Sequence, residues 1–486
     1  MNSFYGLLGL FNRFSYLSFL MYFSLFVTAV FLGLVSIILP VKFVIAFLMI
    51  PLFIILALKF TEYAVLLLLL ILLGAIPSSY LPQVTIAGGT LRASDVGLVS
   101  LFILLSIKRL SSHQSNAVSV ATFLKPYIIP LGGLLFVAVL SAIIALLYKT
   151  ASLIDIVVEA RPYLTWLLLP ILFMAINSAS KFNVFKKMIL LSVVLLSLKV
   201  VFESFSGISL SAGGLGMREL WTSGQGSFQS VNRVTTTGIF LICAVLMYFI
   251  SVYVTENRST KNIFLSLLLM SILVLAILVS FGRGVWLSVL LTLVLLGLFK
   301  GNKKYLGLVF WMGIGMFMLI FILYLVKPAY VDAAASRFFS VSHEIKQGSS
   351  LERRFVENQY ALKKIVAYPV LGVGLGGHFK PPGPEFISWP EEVRYIHNTY
   401  INIATKLGLF GLFFALFFVA LLFQRTYQAY KRKPSHFPII FAVFYVFLAT
   451  TVVTAFTQPN LTSNSGIVSL VIAIFFIESI YNDELS

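Results

Sequence analysis

His397 stands directly before Asn398, where a long polar stretch gives way to an apolar run. Imidazole is the side chain best suited to take a proton near neutral pH, so His397 is a candidate general base, with Asn398 as support. Taken alone, the same residue reads as a capping group at a helix start. Arginines form the second set. Arg283 lies in Ser280-Phe-Gly-Arg-Gly-Val-Trp286 between two apolar runs. An arginine at membrane depth is costly and by default marks function, the alternative being a side chain that snorkels to lipid phosphates. Gly282 and Gly284 leave room beside it for a ligand. Arg353 and Arg354 follow Gly348-Ser-Ser-Leu-Glu352, and Arg218 and Arg233 lie in the Gly/Ser-rich stretch Ser206–Arg233. A pair such as Arg353 and Arg354 is, alone, a charged face of a solvated helix. A guanidinium fork nevertheless matches phosphate with two parallel hydrogen bonds, so several arginines converging would make a diphosphate site.

Other patterns carry less. Gly372-Val-Gly-Leu-Gly-Gly377 has the spacing G-x-G-x-x-G, but Pro-rich sequence follows where a dinucleotide site needs a helix. It reads as a tight bend that lets backbone approach something closely, with Gly374 and Gly376 at its centre. The acids of the long polar stretch, Asp332, Glu344, Glu385, Glu391 and Glu392, lack compact ligand spacing, so neither a metal nor another cofactor is expected. Lys199 and Glu203, four apart, read as an intrahelical pair. His343 and His378 compete with His397, whereas His113 and His436 fall on the opposite side of the membrane.

The elements that position these residues follow from composition. Of 486 residues, 59% are hydrophobic and 11% charged, and the mean hydropathy is +1.00. A soluble domain carries about a quarter charged residues, so soluble enzymes and disordered chains are excluded. Apolar runs long enough for helices also exclude an alternating outer-membrane barrel. The expectation is an all-α polytopic membrane protein. Spans begin near Phe14, Val41, Tyr63, Ser94, Tyr127, Pro162, Phe182, Val234, Ile263, Val285, Tyr305, Tyr400, Phe437 and Ser465, which makes fourteen, with twelve or thirteen as alternatives. The first apolar run lacks an A-x-A cleavage site and reads as a retained helix. With Met1 inside, seventeen Lys and Arg fall in inner segments against six in short outer loops, which sets both termini in the cytoplasm. The formal charge of +18 points to anionic lipid or an anionic substrate, nucleic acid being the weakest reading. Cys243, the one cysteine, lies in an apolar run and supports neither a disulfide nor a thiolate metal site. Residues 1–326 would form helices one to eleven, 327–399 a large outer loop with short helices, and 400–486 the last three spans. Within the loop, Ser349–Ala367 reads as an amphipathic helix with Leu351, Phe355, Leu362 and Val366 near one face, ended by Pro369.

Arg283 at a helix start, Arg354 with Ala361-Leu362, Tyr368-Pro-Val-Leu-Gly-Val-Gly-Leu-Gly376, His397-Asn-Thr-Tyr-Ile-Asn-Ile403 and Leu407-Gly-Leu-Phe-Gly411 occur in that order. The set resembles the O-antigen ligase/Wzy polymerase superfamily of bacterial envelope polysaccharide synthesis. The resemblance implies a metal-independent inverting glycosyltransferase of the inner membrane, acting on its outer face. Its donor would be a glycan on undecaprenyl diphosphate, its acceptor a sugar, and a chain-length regulator or a flippase would be further partners. His397 would deprotonate the acceptor hydroxyl, and Arg283 and Arg354 would bind the diphosphate with Arg218 and Arg233 as helpers. Asn358 departs from the aromatic residue usual after the loop arginine, which leaves the choice between Arg353 and Arg354 open. Fourteen spans favour a polymerase of lipid-linked repeat units over a ligase that moves the glycan to another acceptor such as lipid A-core. A lipid-linked glycan flippase is the non-enzyme alternative; it would show related halves with broken helices and midplane charges, and no such symmetry is visible. The peptidoglycan polymerases of the shape-and-division family would rest on a loop aspartate such as Asp332, and the His-Asn pair argues against them.

Overall fold

A computed structural model describes residues 52–76, 81, 83–86, 89–111, 120–210, 217–224, 227–255, 260–301, 303–339, 350–380 and 394–482. The span expected from Phe14, most of that from Val41, and His113, His343, Glu344, Glu385, Glu391 and Glu392 lie outside them. The described chain is helical almost throughout: α1 (Thr61–Leu72), α2 (Ala93–Ser111), α3 (Val120–Leu147), α4 (Leu153–Ala160), α5 (Leu168–Ala175), α6 (Ala179–Ser206), α7 (Ile239–Thr255), α8 (Thr260–Val279), α9 (Arg283–Lys300) and α10 (Lys303–Val326). Two helices of the expected loop follow, α11 (Pro328–Phe339) and α12 (Ser350–Ala367), and then α13 (Thr399–Arg432), α14 (Phe437–Phe447) and α15 (Asn464–Tyr481). Among the described residues eight helical stretches are long and apolar enough to cross a membrane, and three further apolar helices are shorter. The polytopic all-α expectation holds; the number fourteen is not reached within these residues.

Three local features depart from the sequence reading. The span expected from Pro162 starts at Leu153 instead, as α4, which a 3-10 segment Arg161–Leu167 joins to α5. Asp155 and Glu159 made this stretch look like loop. Ser152 and Asp155 in fact form a capping box at its start. The Gly/Ser-rich stretch before Val234 is a β-hairpin, Met217–Gly224 paired antiparallel with Ser227–Val234, and a smaller hairpin pairs Gln83–Ile86 with Gly89–Arg92. These strands are short and polar, so no run of apolar alternation announces them.

The third concerns α12, whose apolar stripe is not its buried face: Phe355 and Val366 are 65% and 82% exposed. The buried face carries Glu357 and Ala361, and Ala361 packs with Phe379 and Ile396.

The core gathers α13, α14, α15, α3 and α7 around buried aromatic rings such as Phe418, Phe447 and Phe475. A deep tie joins three helices there: the Tyr127 hydroxyl on α3 and Arg425 Nε on α13 each donate to Glu478 Oε1 on α15 at 2.7 Å. The carboxylate is fully enclosed and so needs such partners. Lys199 and Glu203 lie 4.0 Å apart within α6, as their spacing suggests.

Candidate functional site

Two clusters hold the residues expected to do chemistry, and one turn joins them. The first begins at the start of α13. Asn398 Oδ1 accepts from the Tyr400 and Ile401 amides at 3.0 and 3.1 Å, which caps the helix and frees His397 from that duty. The capping role open to His397 in the sequence thus belongs to Asn398. His397 Nδ1 lies 2.9 Å from Glu357 Oε2 on α12. The Tyr395 ring stands edge-on to the imidazole, with centroids 4.8 Å apart. Glu357 is 5% exposed, whereas the His397 side chain is 34% exposed and open to a substrate.

Arg354 lies one turn before Glu357 on the same helix, half-buried, and acts electrostatically on Tyr395. Crowding pushes the Tyr395 hydroxyl up to about 12, with the Glu357 carboxylate adding to the shift and Arg354 opposing it. Although the residue as a whole is 46% exposed, the phenol stays neutral across physiological pH and does not compete with imidazole as a base. The side chain of Arg353 lies outside the described residues.

The second cluster surrounds Arg283, the first residue of α9. Phe281 before it adopts a left-handed conformation, φ 48°, so the turn between α8 and α9 is held in a sparsely populated shape. Trp286 Nε1 donates back to the Ile277 carbonyl at 3.0 Å across that turn. Arg233 Nε donates to the Ser280 carbonyl at 3.0 Å, tying the β-hairpin to it. Arg218 stands opposite Arg233 in the hairpin register, and its side chain lies outside the described residues. The room expected beside Gly284 is filled: a Cβ there would meet Thr454 Cγ2 at 3.2 Å.

Thr454 begins the joining turn. Thr399 on α13 donates through its amide to the Ala455 carbonyl at 2.7 Å and through its hydroxyl to the Gln458 carbonyl at 2.6 Å. The residue two after His397 and the residue after Arg283 therefore pack on the same turn, 454–460.

Sequence reading missed the polar network below His397. α13 breaks at Gly408, φ 69°, which leaves carbonyls of its first half without helical donors. The Gly-rich bend supplies them: Val373 and Gly374 amides donate to the Thr405 and Lys406 carbonyls at 2.8 and 3.2 Å. Such re-satisfaction is obligatory for irregular backbone at membrane depth. A Cβ at Gly408 would lie 2.1 Å from the Val370 carbonyl oxygen, so only glycine fits. Gly374 and Gly376 seat against α3 and α4, where a Cβ would strike Ala145 and the Asp155 backbone. The close approach expected of the bend is thus to protein.

Lys406 Nζ donates to Glu159 Oε1 at 2.7 Å and to the Gly377 carbonyl at 2.6 Å, and Glu159 also accepts from the Gly376 amide. Arg394 pairs with Asp155. The signal for Lys406 was present in the sequence as a lysine inside an apolar span. Glu357 carried no such signal, being an acid on an amphipathic helix.

A cleft of about 290 Å³ opens beside Tyr395, where Glu159, Arg394, Asn402 and Asn464 bring polar groups to a largely apolar lining. An apolar groove of about 610 Å³ runs between α3 and the segment from Ala160 to Pro170. Tyr163 and Leu375 line both, so the two spaces are neighbours. No curated protein matches the chain. Residues 266–416, a segment that holds Arg283, Arg354 and His397, match the family model described as O-antigen ligase, so the chain carries a domain of the O-antigen ligase/Wzy superfamily.

Proposed function

We propose that this membrane protein is a metal-independent inverting glycosyltransferase that polymerises undecaprenyl-diphosphate-linked repeat units into an envelope polysaccharide. The observation that carries the reading is that His397, Arg283 and Arg354 all fall within the O-antigen ligase match. In the reaction, His397 takes the proton of an acceptor sugar hydroxyl. The oxygen attacks the anomeric carbon from the face opposite the phosphate, the new C–O bond forms, and the old one breaks with its electron pair passing to the lipid diphosphate. Arg283 and Arg354 hold the leaving charge, with Arg233 and Arg218 as helpers, so that preorganised cations do the work a metal would otherwise do. The amphipathic pair of spaces supports a lipid-borne donor: the apolar groove suits its hydrocarbon chain and the adjoining cleft its sugars. The catalytic face is the outer one, from the Lys/Arg asymmetry of the loops.

A ligase is the second reading, favoured by the description of the matched family itself. Reconstitution in liposomes with lipid-diphosphate-linked repeat units as the only substrate separates the two. A ladder of glycans is expected of a polymerase. Product formed only when a second acceptor is added would make the protein a ligase, and no product in either case would overturn glycosyl transfer.

A further inference from the structure

The Glu357 carboxylate takes no part in the bond changes described above, yet it is the group that holds the imidazole. It is almost fully enclosed, and a buried carboxylate is costly unless hydrogen-bonded. Its Oε2 lies 2.9 Å from His397 Nδ1. An ionised carboxylate only accepts, so the proton of the neutral imidazole sits on Nδ1 and the lone pair is left on Nε2.

Three further contacts fix the arrangement. Ala361, one turn after Glu357, is closed against Ile396 and Phe379, which seats α12 on the segment that carries His397. The Tyr395 ring, edge-on at 89°, limits rotation of the imidazole. The Asn398 cap anchors the backbone on the other side. The ring is thus held in one place by helix packing and in one tautomer by a single acceptor.

We infer that Glu357 is the positioning residue of the reaction: it holds His397 as the Nδ1–H tautomer and leaves Nε2 as the atom that takes the acceptor proton. The second half of that statement rests on His397 being the base; the first does not. A proton acceptor held by a third group is the same logic that orients imidazole in nucleophilic enzymes.

The test reads the tautomer directly. The full chain, labelled with ¹⁵N-histidine and reconstituted in lipid, is studied by solid-state NMR, with His397→Gln identifying the resonances. A protonated Nδ1 and a bare Nε2 are expected in the wild-type protein, and reversion to the Nε2–H form of free imidazole in Glu357→Ala. A wild-type Nε2–H form would overturn the inference without recourse to any variant, and so would an Nδ1–H form that survives Glu357→Ala.

Turnover supplies the second reading. In Glu357→Gln, which keeps the volume, kcat is expected to fall about tenfold or more, within the roughly 10²–10⁴-fold that a general base contributes. KM for the lipid donor should stay within about twofold, because the lost effect belongs to the transition state. Unchanged kcat in Glu357→Gln beside an inactive His397→Gln would overturn the positioning role alone. Full turnover in His397→Gln would remove the base assignment and leave the tautomer result standing.

Discussion

At the residue scale, the two expected phosphate binders sit in different surroundings. Arg354 shares a helix face with Glu357, one turn from the carboxylate that holds His397. Arg283 opens α9 beside a strained turn that Arg233 also grips. Its position at a helix N-terminus adds backbone donors to the guanidinium, and such termini favour anions. Arg283→Ala is therefore expected to weaken binding of a lipid diphosphate about 10- to 100-fold, the worth of one or two charge-assisted hydrogen bonds. Arg283→Lys should recover only part, since an ammonium lacks the bidentate fork. Equilibrium binding to reconstituted protein checks both, and unchanged affinity in Arg283→Ala would take this residue out of the site. These residues were legible in the sequence because arginine at an apolar boundary and histidine at a helix start are conspicuous by type. Glu357 was not, since an acid on an amphipathic helix looks like a solvated face until the packing shows which face is buried.

At the element scale, the broken helix α13 and the broken span Leu153–Ala175 explain each other. Asp155 and Glu159 precede the span expected from Pro162, and Lys406 lies within the one expected from Tyr400. Folding brings them together, with Lys406 bonded to Glu159 and Arg394 to Asp155. Period and hydropathy report on single helices, whereas this network joins residues more than two hundred positions apart, so the pairing was invisible beforehand. The same holds for α12, whose apolar stripe is legible in the sequence while the face it buries is not. Lys406→Met leaves the half-buried Glu159 carboxylate without its cation and is expected to cost about 1–2 kcal/mol, less than the penalty for breaking a fully enclosed pair. Adding Glu159→Gln should restore part of that loss, because the unpaired charge goes with it. Thermal unfolding of single and double variants in one detergent measures the coupling. Additive losses would mean that the two side chains do not act as a pair.

At the scale of the whole molecule, apolar composition dictated the membrane-spanning helices, and the apolar runs beginning near Phe182, Tyr305 and Tyr400 became α6, α10 and α13. Hydrophobic runs are strong signals because the bilayer admits little else. What the sequence left open was how the helices leave space between them. The apolar groove beside α3 and the cleft beside Tyr395 share Tyr163 and Leu375 in their walls. Gly132 lines that groove, and a Cβ there meets nothing within 4 Å. Gly132→Trp should therefore fill it without disturbing the fold. The expected result is an apparent affinity for a long-chain lipid-diphosphate donor about tenfold weaker, the worth of roughly two buried methylenes. A short-chain donor analogue should be affected far less; equal effects on both would show that the chain lies elsewhere. Whether His397 drives glycosyl transfer from a lipid diphosphate is decided by product formation in liposomes that hold the protein and lipid-diphosphate-linked repeat units, with a chelator present throughout. Glycan products are expected from the wild-type protein, and none from His397→Gln although that variant still binds the donor. Undiminished product from His397→Gln would contradict that role.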